Sequence, residues 1–244
     1  MRVGRKMNWL LLIIILFIAV FCYRGWKIGI IKSIFVICST ILALIITSIC
    51  NPIVSNILVS SEEVVNTTTN IVSNTMGISK EKSTKNGTDD TIQKKKEQNK
   101  KIEELPLSNH IKKKIMENNN KEVYSKMLVE SFEQYLCKYI AIMIIRAFSF
   151  LVLYIIVRVI IFILARMLDI ISKLPVIKQM DKLAGLILGG LQSILLLWIG
   201  CTVLMLFSGT ALGKEIYECI NNSAILTFIY EHNILVILLA NFMS

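Results

Sequence analysis

The residues able to do chemistry are few and scattered. His110 and His232 are the only histidines among 244 residues. The six cysteines (Cys22, Cys38, Cys50, Cys137, Cys201 and Cys219) contain no C-x-x-C pair and have no histidine close by. A metal cage of the usual ligand spacing therefore has no material, and most of these thiols read as small packing residues in or beside apolar runs. The chain has no His-Glu-x-x-His, no Gly-x-Ser-x-Gly and no acid pair within an apolar run, so the usual means of activating water or a nucleophile are missing. No glycine-rich phosphate loop ending in Lys-Ser or Lys-Thr is present either. The expectation is a protein that is not an enzyme, with no cofactor and no metal.

Two charges do sit inside an apolar run. Arg146 and Arg158 each lie about six residues, roughly 9 Å along a helix, from an end of the stretch that holds them. Long side chains so placed are expected to snorkel to lipid headgroups. The alternative is functional: a small channel or transporter subunit in which Arg146 and Arg158 line an anion path.

The elements that must position these residues are oily. Hydrophobic residues make up 55% of the chain and charged residues 18%, and the apolar ones gather into four blocks: Trp9 to Tyr23, Ser33 to Cys50, Ile140 to Leu164 and Leu183 to Phe207. About 20 apolar residues cross a bilayer, so the fold class is all-α, a polytopic integral membrane protein with four transmembrane helices. The basic lead Arg2, Arg5 and Lys6 before the first block resembles a secretory signal, but the bulky exit Val20, Phe21, Cys22 and Tyr23 favours a retained helix. Net charge is +10, yet the segment 61–138 holds fourteen Lys against twelve Asp plus Glu. The surplus lies beside the apolar blocks, where cations meet anionic headgroups and fix topology. A nucleic-acid partner is not expected; an anionic bilayer is.

Four domains follow. Residues 1–60 hold helices one and two, 61–138 a polar lysine-rich insert, 139–208 helices three and four, and 209–244 a short amphipathic C-terminal tail at the interface. The insert's first part, Ser61 to Lys101, is rich in Asn, Thr, Ser and mixed charge, and is expected to be mobile. Its second part carries Leu107, Ile111 and Ile115 at four-residue spacing, then Val123, Met127, Leu128, Phe132 and Leu136. These predict amphipathic helices near the membrane surface. In the tail, Ile234 to Phe242 is too short to span, and Glu231, His232 and Asn233 interrupt the longer run, so a broken interfacial tail is expected.

The fourth block carries many helix-weakening residues. Relative to Gly185, the positions Gly189, Ser193 and Gly200 fall near 40°, 80° and 60° around a helix that advances 100° per residue. Such a narrow face of small residues lets another backbone come close, which is how helices adhere in lipid. Gly185, Gly189, Ser193 and Gly200 are thus predicted to be a helix-packing groove. Asp181 and Lys182 open this helix at the interface, with the acid complementing the helix dipole, and Pro175 keeps the preceding chain extended. The stretch Tyr23 to Ser33, with Arg24, Lys27, Lys32 and Trp26, predicts a tight basic turn with an aromatic anchor.

Two motifs carry a resemblance. Arg24-Gly25-Trp26-Lys27-Ile28-Gly29, after a short first helix, resembles the Arg-Gly-aromatic turn of the colicin V production protein family, and Lys173 to Gln192 resembles that family's Asp-Arg-x-x-Gly-x-x-x-Gly entry to its last helix. The interface motif is then Arg24, Gly25, Asp181 and Lys182. The chain departs from the family in Lys27 and Ile28, in Lys182 for arginine, and in Gln192 and Ser193 for a later Arg-Gly. The resemblance implies a multi-pass protein of the bacterial cytoplasmic (inner) membrane, non-enzymatic, with a role in toxin (bacteriocin) production or export and in envelope processes. It implies as partner a second copy of the chain or another membrane protein. Lysine and arginine counts near the helix ends tie at seven each, which leaves orientation open.

Overall fold

A computed structural model describes residues 8–76, 91–167, 180–207 and 210–241. Eleven helices and no strand occur among the described residues: α1 (Trp9–Ile28), α2 (Ile30–Ser60), α3 (Glu62–Met76), α4 (Thr91–Glu103), α5 (Asn109–Glu117), α6 (Lys121–Lys126), α7 (Phe132–Met167), α8 (Met180–Leu206), α9 (Ala211–Asn221), α10 (Ala224–Glu231) and α11 (Ile234–Asn241). The basic residues Arg2, Arg5, Lys6, Lys173 and Lys178, and Pro175, lie outside the described residues.

Four helices, α1, α2, α7 and α8, are long and apolar enough to cross a membrane. Their mean hydropathy exceeds what a water-facing surface tolerates, and one face after another stays exposed: Leu12 and Leu16 on α1, Ile45 and Ile49 on α2, Ile156 and Ile163 on α7, Leu183 and Ile187 on α8. Outward-facing apolar surface on this scale is covered by lipid.

The four helices run longer than the apolar blocks. The turn expected over Tyr23 to Ser33 is one residue: α1 continues to Ile28, and only Gly29, at φ 86°, separates it from α2. That backbone angle suits glycine alone among common residues. Local aromatic and basic residues mimicked a turn because a helix end at the headgroups has the same composition. α2 continues past Cys50 through Pro52 to Ser60, and α7 begins eight residues before Ile140.

At 36 residues α7 is about 54 Å long, against roughly 30 Å of hydrocarbon. Its N-terminal excess carries a helical cap made from both the insert and the tail. Ile102, Leu107, Ile111 and Ile115 are buried with Phe132, Tyr135 and Ile140 of α7, Met205 of α8, and Leu235 and Val236 of α11. The apolar stripe Leu107, Ile111, Ile115 therefore faces protein and not a membrane surface, because α7 and α11 offer it a drier partner. Tyr135 Oη donates to Ile115 O at 2.8 Å and so anchors α5 to α7.

The rest of the insert and the tail are helical among the described residues. The stretch after Ser61 contains the helices α3 and α4; Val65 and Val72, seven residues apart, give α3 an apolar edge that packs on α7. Residues 77–90 lie outside the described residues. The tail, expected to be broken and interfacial, forms α9 to α11, which pack on the body. Buried Asn233 secures it: its Nδ2 donates to Trp198 O of α8 at 2.9 Å, and its Oδ1 accepts from Leu235 N at 3.0 Å, capping α11. Glu231 accepts from Asn109 N at the start of α5, and Tyr217 Oη donates to Leu107 O at 2.8 Å. Insert and tail thus form one cap at one end of the bundle.

Candidate functional site

The other end is organised by a seam of glycines. α1 and α8 run antiparallel, with Gly25 facing Gly185, and Phe21 and Cys22 facing Gly189. A Cβ at Gly25 would collide with the Gly185 carbonyl oxygen and lie 3.0 Å from Gly189 Cα. One at Gly185 would meet the Gly25 oxygen and lie 3.1 Å from Gly29 C; one at Gly189 would meet the Phe21 oxygen. Backbone touches backbone along two helical turns, the geometry in which dispersion and weak Cα–H contacts hold helices in lipid.

Of the predicted packing face, Gly185 and Gly189 lie in this seam. Ser193 is fully buried, with its hydroxyl donating to Gly190 O at 2.6 Å. Gly200 does not take part: a Cβ there meets nothing within 4 Å. Fifteen residues beyond Gly185, a small difference between the helix's own step and the path of its neighbour carries a position off the contact line. There Cys201 and Leu204, like Leu10, Leu11 and Ile14 of α1, pack against Ile220, Leu226 and Tyr230 of the tail instead.

Of the interface motif, Gly25 is in the seam and Arg24 is exposed beside it. Lys182 lies with its Nζ 5.8 Å from the Trp26 ring centroid, a cation–π contact across the same two helices. Asp181 is the second residue of α8, and its side chain lies outside the described residues.

Against this seam the four spans line a half-open cavity of about 590 Å³. α1 contributes Phe21 and Arg24, α2 Lys32, Phe35 and Ser39, α7 Arg158 and Phe162, and α8 Gln192. Arg158 does not snorkel away from the bundle; its Nη1 donates to Ser39 Oγ of α2 at 2.6 Å. Three cations from three helices therefore line one cavity, with Ser39 and Gln192 as neutral polar neighbours and no carboxylate among the described lining residues. The ion pairs found among the described residues, Lys101–Glu133, Lys113–Glu117, Lys114–Glu117 and Lys126–Glu122, all belong to the cap and touch none of them.

Arg146 is not brought to this place. Twelve residues from Arg158, it sits about 120° around α7 and half-buried, outside the cavity lining. Sequence reasoning missed Lys32, Ser39 and Gln192, and it missed the small polar stripe Ser33, Thr40, Thr47, Asn51 and Ser55 that α2 buries. The recurrence of Ser, Thr and Asn at seven- and four-residue steps was the available signal for that stripe. Lys32 was masked by its position at a helix start, where a lysine is usually a topology marker.

No group of three or more His, Cys, Asp or Glu able to hold a metal ion occurs among the described residues. Residues 123–233 match the model of the colicin V production protein family, which takes in α6 to α10 and the α8 half of the seam. The α1 half, with Arg24 to Gly29, lies outside that match. No curated protein and no solved structure is significantly similar to the chain.

Proposed function

We infer that this chain, whose residues 123–233 match the colicin V production protein family, works as a non-enzymatic factor in a bacterial cytoplasmic membrane, supporting toxin production or export and envelope processes. The observation that carries the reading is the close-packed α1–α8 seam beside a largely apolar cavity that presents three cations, the Gln192 amide and the Ser39 hydroxyl. Such a lining offers hydrogen-bond donors and charge but no nucleophile paired with a base, so it suits holding an anion or a partner and not bond cleavage. The family match supports the same direction.

Deletion of the gene in its native host tests this. Toxin release and envelope integrity are expected to fall and to be restored by the wild-type chain, while Gly185→Leu, produced at normal level, restores neither. Unchanged release and intact envelopes in the deletion strain would contradict the reading.

The placement of the arginines bears on the channel alternative. Arg158 lines the cavity and Arg146 does not, so an anion path using both would need a second copy of the chain or a large rearrangement. Liposomes containing the purified protein are expected to pass no chloride under an applied potential.

A further inference from the structure

We propose that the cavity between α1, α2, α7 and α8 is a binding site for one anionic phospholipid, its phosphate held by Arg24, Lys32 and Arg158 and its apolar part lying along Phe21, Phe35 and Phe162. The proposal goes beyond the role in toxin production and rests only on insertion of the four spans in a membrane.

Charge comes first. Three cations share one cavity in which no described lining residue is a carboxylate, and no ion pair among the described residues engages them. Lys32 and Arg158 are half-buried and Arg24 is exposed at the mouth; clustered like charge beside apolar walls is costly, so an anion from outside the protein completes the site. Depth is the second consideration. Arg24 is four residues from the end of α1, and Lys32 is the third residue of α2, both at headgroup level. Arg158 lies nine residues before the end of α7, and its partner Ser39 is the tenth residue of α2, so its guanidinium forms the deeper wall of the site. The bond to Ser39 fixes its guanidinium against α2, and a planar fork so held matches two oxygens of a phosphate.

Size and opening select a lipid over a free ion. At about 30 Å³ per water, a cavity of about 590 Å³ holds roughly twenty waters, far more than an inorganic phosphate displaces. The remaining wall is apolar, with Phe21, Phe35 and Leu196. Val159 and Phe162 in that wall are 50% and 54% exposed on a helix face read as lipid-covered, which leaves a sideways entrance for a chain. A zwitterionic headgroup brings its own cation into an already cationic site, so an anionic lipid is selected.

The test uses the full chain purified in detergent. Native mass spectrometry with added phosphatidylglycerol is expected to show one tightly retained lipid per chain, and phosphatidylglycerol is expected to raise the melting temperature more than phosphatidylcholine. The double variant Lys32→Gln/Arg158→Gln is expected to weaken retention at least tenfold. Arg166→Gln and Lys182→Gln, on the same membrane face but outside the cavity, leave retention unchanged. Lys32→Arg preserves it. If the double variant does not fold, competition between the two lipids on the wild-type chain still decides. Equal retention of both lipids, equal loss in the Arg166 and Lys182 variants, or full stabilisation by inorganic phosphate alone would each overturn the proposal.

Discussion

At Gly25, Gly185 and Gly189 the missing side chain is what matters. A methyl group at any of them points into the opposing backbone, which has no rotamer with which to retreat. Gly25→Ala or Gly185→Ala is expected to cost more than about 2 kcal/mol, since overpacking against backbone lies at the severe end of such changes. Gly200→Ala, in open space, is expected to leave stability unchanged or raise it by up to about 1 kcal/mol through helix propensity. Thermal unfolding of the purified variants in detergent checks the contrast. Half of this seam was legible in the sequence: Gly185 and Gly189 announce themselves by their four-residue spacing inside an apolar run. The facing half was not, because Gly25 and Gly29 sit among Arg24, Trp26 and Lys27, the composition of a loop at a membrane surface as much as of a helix end. Angles around an isolated helix also placed Gly200 on the face, although contact depends on the neighbour's path.

Helices make the next scale, and the cap shows how their ends are held. α11 depends on Asn233, which caps its first turn and ties it to α8 from a fully buried position. Asn233→Ala removes the cap and the tie to the Trp198 carbonyl, which keeps the Thr202 hydroxyl as a donor, and is expected to cost about 2 kcal/mol and release the tail to limited proteolysis. α6 contributes a titratable marker. Burial, helped by nearby Glu133, pushes the Tyr124 phenol from 10.0 up to about 12. A folded value above the unfolded one means that this contribution is complete below about pH 10 and lost as pH rises from about 10 to about 12. Chemical denaturation across that window is expected to show a fall in stability that Tyr124→Phe reduces. The stripe of Leu107, Ile111 and Ile115 was readable from spacing; its partner was not, since an apolar stripe states that something dry covers it and never what. The helix α3 escaped notice because Val65 and Val72 are sparse in a run of Asn and Thr, and only the overhang of α7 makes their burial worthwhile.

The whole molecule has two unlike ends. One carries the cap, where lysines pair with Glu117, Glu122 and Glu133. The other gathers Arg24, Lys27, Lys32, Arg166 and Lys182 around the Gly29 corner and the end of α7, outside every ion pair found among the described residues. Charges beside short connections set orientation, whereas a long folded insert crosses largely regardless of its lysines. The corner end is therefore predicted to face the cytoplasm, with the cap on the outer side. A single cysteine placed at Asn99 in the insert, in a chain stripped of its own cysteines, is expected to react with an impermeant maleimide on intact cells. Protection of that thiol until lysis would reverse the orientation.

The seam itself is open to one direct measurement. The Cys22 Sγ lies 3.4 Å from where a Cβ on Gly190 would stand, within reach of a disulfide. With the other five cysteines replaced by serine, Gly190→Cys is expected to oxidise in the membrane to an intramolecular bond with Cys22, read as loss of both free thiols and two hydrogens in the intact mass. Gly200→Cys in the same background stays reduced. Two thiols that both remain reactive in the Gly190→Cys chain, or bonds formed only between copies, would show that α1 does not lie against α8.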